Sequence, residues 1–216
     1  MQNISIEIIS DVVCPWCYVG LGNLRAAVAL AEQRQAGFSD GVQVQWSPYM
    51  LNPDLPPEGI ARSEYLQRKF GTTSLDRFGR VKDAASAVGL PLRLDLIQVQ
   101  PNSLPAHVLV AAAGAQGHAL TDLIFEAFFV EGRNIADPAT LIDLAEAAGM
   151  ERSHAEAALA DVLLAKRVRH VADEWREHGV SGVPTFILKV QDRQQVLHGA
   201  VSHAVMLETF YALGAL

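Results

Sequence analysis

The sequence predicts an α/β fold in which a βαβ unit and a closing ββα unit are separated by a helical block of roughly a hundred residues. Three observations carry this. Ile4, Ile6 and Ile8 alternate with Ser5 and Glu7, as in a strand with one buried face. Thr185-Phe186-Ile187-Leu188 and Gln195-Val196-Leu197-His198 form a second β-rich stretch around the turn residues Gln191-Asp192-Arg193. Between about residues 62 and 178, apolar spacings of three and four recur, punctuated by cap and stop signals.

Taken in order, the first strand runs into Ser10-Asp11-Val12-Val13-Cys14-Pro15-Trp16-Cys17. Pro15 suits a first helical position, where its missing N–H is not needed. Cys17, Leu21, Leu24, Val28 and Ala31 then mark one helix face to about residue 35. Gly20 and Gly22 lower the propensity of that helix, so something is expected to pack close to its first turns. Val42, Val44 and Trp46 alternate with polar residues up to Pro48, which suits an edge strand with Trp46 packed on the sheet. Asn52-Pro53-Asp54-Leu55-Pro56-Pro57 reads as a linker out of the sheet.

Beyond the linker the text reads as helices only. Ser63 is expected to cap 65–70, Ser74 a run ending at Gly89, and Ser103 a run ending at Gly117. Leu120–Phe128 makes another helix, Asp137-Pro138 opens a fifth that stops at Gly149, and one long helix is expected from Ser153 to His178, carrying Trp175 in the core. A last helix carries Met206, Leu207, Phe210 and Leu213. The expected division is 1–61 with 150–216 as the sheet domain and 62–149 as a helical insertion.

The bulk properties exclude several functions. The chain has 216 residues, half of them hydrophobic, and a net charge of −7 without a Lys/Arg cluster, which argues against nucleic acid or an anionic membrane as partner. No apolar run approaches the roughly 18–20 residues of a membrane span. The N-terminus lacks the pattern of a secretory signal, so a cytoplasmic location is expected. The seven histidines show no metal-ligand grouping.

The two cysteines, Cys14 and Cys17, are too few for a disulfide framework. A structural bridge across so short a loop would stabilise little. Structural zinc needs about four ligands, which are not supplied. Redox chemistry is left. With Cys14 as helix N-cap, its sulfur would face free N–H groups and the positive end of the helix dipole, favouring an exposed thiolate nucleophile. Cys17, one turn on, would be a partly buried resolving thiol. Trp16 would offer an apolar surface to substrate; lacking a charge there, Cys14 should be less activated than in the strongest oxidants. Val183-Pro184-Thr185 is either a trans Pro opening a strand or a cis Pro that frees the Val183 backbone for an extended substrate.

Cys14-Pro15-Trp16-Cys17 after a strand, with Gly182-Val183-Pro184-Thr185 before a ββα end, resembles the thioredoxin fold, and the large all-helical insertion resembles the DsbA branch. Asp11–Gly20, Leu51-Asn52-Pro53, Asn102-Ser103 with Ala106-His107, and Glu131–Asp137 resemble the FrnE-like subfamily of DsbA-family oxidoreductases over nearly the whole chain. The resemblance implies a thiol–disulfide oxidoreductase or isomerase with Cys14 as nucleophile, Cys17 as resolving thiol and Pro184 as a cis proline. No bound cofactor is implied beyond the redox-active Cys14–Cys17 disulfide. Expected substrates are proteins or small molecules carrying thiols or disulfides, with glutathione an admissible co-substrate. Oligomeric state is left open.

A sister group, the 2-hydroxychromene-2-carboxylate isomerases and kappa-class glutathione transferases, is also similar, but has serine at the position of Cys14. A glutathione-dependent isomerase or transferase is therefore one alternative, and a non-catalytic redox-sensing binding protein another. Two departures from the FrnE-like pattern stand out: Val201 replaces a common glutamine, and Pro105 falls within a first helical turn. Around the pair, Asp11 is either a proton carrier or a turn residue bonded to backbone N–H groups. His107 suits a hydrogen-bonded core position better than the cleft. Asn52 and Asn102 border the pocket or serve as loop and cap residues.

Overall fold

A computed structural model describes residues 3–216. β1 (Ile4–Ser10), α1 (Pro15–Arg34) and β2 (Val42–Pro48) form the first unit, and β5 (Thr185–Val190), β6 (Arg193–His198) and α9 (His203–Leu213) the last. The four strands make one mixed sheet in the order β2-β1-β5-β6. β1 runs parallel to β2 and antiparallel to β5, with Ile8 opposite both Trp46 and Phe186. β2 is an edge strand, as its polar face predicts.

The alternation in β1 decides the packing. Ile4, Ile6 and Ile8 join Leu24, Ala27 and Ala31 of α1 and Met206 and Phe210 of α9 in one core. Burying side chains of this kind stabilises by about 1.5–3 kcal/mol each. Gly20 and Gly22 are explained by close approach. A Cβ on Gly20 would lie 2.9 Å from Pro184 Cγ, and one on Gly22 would lie 2.7 Å from Leu90 Cδ1.

Between the two units lie β3 (Ile60–Ala61), α2 (Arg62–Phe70), α3 (Gly79–Ala87), β4 (Val99–Gln100), α4 (Leu104–Ala112), α5 (Gly117–Phe129), α6 (Pro138–Ala147), α7 (Arg152–Ala160) and α8 (Val162–Glu177). α4 packs against α5, α6, α7 and α8, and α8 reaches β2. There Trp175 is half-buried and its indole Nε1 donates to Ser47 Oγ at 2.7 Å. A second core joins Val12, Cys14, Cys17, Tyr18 and Leu21 to the aromatic side chains of α5. The first turns of α1 are thus clamped between the sheet and the helical block.

Several expectations are corrected. The block is not wholly helical, because β3 and β4 pair as a two-stranded antiparallel ribbon. Ser63 lies inside α2, whose N-cap is Ala61 without a side-chain bond. Ser74 bonds Asp76 N, and the run it was expected to cap breaks into a 3-10 turn, Asp76–Phe78, followed by α3. Ser103 is the N-cap of α4, but its hydroxyl makes no cap bond; Asn102 Oδ1 accepts from Leu104 N at 3.0 Å instead. Gly117 opens α5 and does not end α4. The expected Ser153–His178 helix is two helices. Asp161 ends α7 and caps α8, its Oδ1 accepting from Leu163 N at 2.8 Å and Leu164 N at 2.9 Å. These bonds satisfy orphan donors that a continuous helix would not have.

Candidate active site

The antiparallel pairing of β1 with β5 sets the site, because it lays the end of β1 beside the start of β5. Cys14 has extended backbone and is the N-cap of α1, with Pro15 following. Cys17 N and Tyr18 N both donate to Cys14 O, at 3.0 and 3.3 Å, so the cysteines lie on one turn. Both are free thiols.

Two expectations about Cys14 need correction. The residue is buried, at 5% exposure, because the Val183-Pro184 loop and the helical block cover it. Its sulfur makes no cap bond to the helix N–H groups. Its nearest polar partner is Val183 O, toward which Sγ points at 3.7 Å. The Val183–Pro184 peptide is cis, as the resemblance implies. Thr185 Oγ1 donates to Gly182 O at 3.0 Å, which closes the turn that presents this loop. Pro15 is half-buried, and Trp16, between the two cysteines in sequence, is exposed.

Cys17 is 2% exposed. Burial pushes its thiol up well above the ordinary range, and the neighbouring Cys14 adds to the rise; the Ser10 hydroxyl and the Asp11 backbone act in the opposite direction. The asymmetry expected of the pair is therefore one of reach. Cys14 meets the Val183 loop, and Cys17 lies behind it, more deeply buried.

Asp11 is fully buried and its carboxylate is engaged locally. Oδ2 accepts from Leu51 N at 2.7 Å and Oδ1 from Val13 N at 3.3 Å. His107 is a buried, hydrogen-bonded histidine: Nε2 lies 3.1 Å from Tyr49 O and 3.4 Å from Asp11 Oδ1. It also lines a cavity of about 350 Å³ behind β1. Asn52 and Asn102 serve loops. Asn52 Oδ1 accepts from Lys69 Nζ at 3.3 Å, and Asn102 Nδ2 donates to Leu55 O at 2.6 Å. Val201 is half-buried against the sheet core, and Pro105 sits at the start of α4, where it costs no hydrogen bond.

Sequence reasoning missed Ser10 and His118. Ser10 is a buried serine at the end of a strand, which carries no local signal. His118 Nδ1 accepts from Trp46 Nε1 at 2.9 Å while its Nε2 donates to Val44 O at 2.8 Å. That bridge across the β2 edge, seventy-odd residues apart in sequence, is what holds Trp46, together with an edge-on contact to Phe125.

A fold of this topology with paired thiols at a helix start defines a class, and comparison places the chain in it. The model of the DSBA-like thioredoxin domain family matches residues 5–210, so the chain belongs to that family. It is similar to the uncharacterized protein YwbO of Bacillus subtilis, 26% identical over 190 residues, covering 87% of this chain and 88% of that one. Among solved structures, a probable DsbA oxidoreductase, SCO1869 of Streptomyces coelicolor, superposes with a TM-score of 0.82 at 28% identity, covering 98% and 91% of the two chains. The cytosolic disulfide reductase DsbM of Pseudomonas aeruginosa shares the fold, with a TM-score of 0.64 at 23% identity, covering 97% and 92%. Together the family and the SCO1869 likeness support thiol–disulfide oxidoreduction in general. No helix among the described residues is long and apolar enough to cross a membrane.

Proposed function

We propose that this chain is a thiol–disulfide oxidoreductase working through Cys14 and Cys17. The observation that carries the reading is the pairing of two thiols on one helical turn beside the cis Val183–Pro184 loop. The Cys14 sulfur faces the Val183 carbonyl at 3.7 Å, and Cys17 lies buried one helical turn on. Cys14 attacks a substrate disulfide, forms a mixed disulfide and expels one substrate thiolate. Cys17 then attacks Cys14, the Cys14–Cys17 bond forms, and the second substrate sulfur leaves. The steps run in reverse when the pair is the oxidant.

The substrate class is a protein or small molecule with an accessible thiol or disulfide. A structure of DsbM with glutathione supports glutathione as a co-substrate here. The DsbM likeness, described as cytosolic, also supports a cytoplasmic setting. Incubation of Cys17→Ala with cell lysate tests the reading. Adducts on Cys14, released by reductant and identified by mass spectrometry, are expected; their absence, with wild type unable to reduce a model disulfide, refutes it.

A further inference from the structure

Disulfide exchange needs a substrate sulfur to reach Cys14 Sγ, with the bond that breaks lying in line behind it. How closely the carrier of that sulfur can approach is set by what surrounds Cys14. The residue as a whole is 5% exposed, so whatever part of its sulfur is open falls within that small fraction. Val12 and Val13 before it and Cys17 and Tyr18 after it are buried with it, in the core that holds Ile124, Phe125 and Phe128 of α5. Val183 packs against the same core, and its carbonyl meets the sulfur at 3.7 Å.

This cover is also pinned. Pro184 O accepts from Gly199 N at 2.8 Å, which ties the loop to the residue just past β6. Thr185 Oγ1 donates to Gly182 O at 3.0 Å. The Pro184 ring sits so near α1 that a Cβ on Gly20 would lie 2.9 Å from its Cγ. From Thr185 onward the chain is an inner strand of the sheet, with β1 on one side and β6 on the other. A loop tied in these ways is held in place when a partner arrives.

The carriers of disulfides differ in width close to their sulfurs. In a protein disulfide two main chains face each other across the bond, with Cα atoms about 4.4–6.8 Å apart. In a folded protein both chains continue on either side of it. A low-molecular-weight disulfide has only a thin carbon chain on each sulfur. The first kind meets the cover of Cys14 before its sulfur meets Sγ; the second can enter end-on.

We infer that this protein acts on low-molecular-weight disulfides and passes over those held in folded proteins. The inference rests on the exchange reading above and names its substrate class. Cys14 attacks one sulfur of the small disulfide, the mixed disulfide forms, and the other half leaves as a thiolate. Cys17 then attacks Cys14 Sγ, the Cys14–Cys17 bond forms, and the second half leaves. Two electrons pass from the cysteine pair to the substrate, and the two thiol protons reach the released halves by way of solvent.

The test compares hydroxyethyl disulfide with native insulin. Reduced protein, freed of reductant, is mixed with either one in high salt, which screens repulsion between acidic chains. Samples are quenched in acid and alkylated, and thiols lost from Cys14 and Cys17 are followed by mass spectrometry. Dithiothreitol, a dithiol without a cover, gives the preference that comes from the disulfides themselves. The protein should favour hydroxyethyl disulfide over insulin at least about tenfold more strongly than dithiothreitol does, the low end of discrimination by pocket shape. Any smaller excess overturns the inference. Failure of the exchange reading looks different, since wild type would then oxidise with neither disulfide, or Cys14→Ser would still reduce hydroxyethyl disulfide.

Discussion

Gly20 and Gly22 lie on the same helix and should respond to alanine in opposite ways. Replacing glycine in a helix interior gains about 1 kcal/mol from propensity. At Gly20 the new Cβ would lie 2.9 Å from Pro184 Cγ and 3.1 Å from Phe186 Cζ. Neither atom can swing away, because one belongs to a closed ring beside Cys14 and the other to a fully buried aromatic. Overpacking of this kind costs about 1–3 kcal/mol, so a net loss of about 1 kcal/mol remains. For a chain this size that lowers Tm by about 2–4 °C. At Gly22 the nearest atoms are the Leu90 Cδ1 at 2.7 Å and the Val88 Cγ2 at 3.1 Å, both ends of half-buried side chains that have room to turn aside. Gly22→Ala should therefore keep or raise Tm. Thermal unfolding of both variants by circular dichroism checks this, with the rate at which Cys14 attacks Ellman's disulfide showing whether displacing Pro184 also slows that thiol. A Gly20→Ala protein at least as stable as Gly22→Ala would refute the close-packing argument.

The raised Cys17 thiol makes the reduced protein sensitive to alkali. A thiol whose folded pKa exceeds its unfolded value of about 8.5 contributes stability that is full below that pH and lost as pH rises above it. Urea melts of the reduced protein should lose up to about 1.4 kcal/mol per pH unit there, and Cys17→Ala should not show that slope. Asp11→Asn places an amide among backbone donors that need acceptors, and should cost about 1–3 kcal/mol by urea denaturation; an unchanged midpoint would contradict the local role of the carboxylate. Asp161→Ala removes the acceptor of two N–H groups and should cost about 1 kcal/mol, with fraying at the start of α8 seen as faster amide exchange at Leu163 and Leu164.

The βαβ and ββα ends were legible because their periodicities are short and strong. Ile4, Ile6 and Ile8 dictate a buried strand, and Pro15 dictates a helix start. The interior of the helical block was legible in kind and not in boundaries. A 3.6-residue pattern continues across Asp161, so only the side chain's bonds to Leu163 and Leu164 reveal the break. A ribbon as short as Ile60–Ala61 with Val99–Gln100 has no period to read. The cysteine pair was visible from its spacing, but the burial of Cys14 was not, since its cover comes from Val183 and from the helical block. The cavity was invisible for the same reason. Ser10, His107 and Trp46 are brought together by packing between β1, α4 and β2, and no one segment carries the pattern.

The contact between Cys14 and Val183 spans 169 residues, and this has a consequence for biosynthesis. The chain emerges amino end first, so the thiols leave the ribosome 169 residues before the loop that covers them. In that interval the pair is chemically naked. A compartment that keeps thiols reduced would spare the nascent protein from premature cross-linking, and only completion of β5 converts two ordinary cysteines into a sheltered, directional pair.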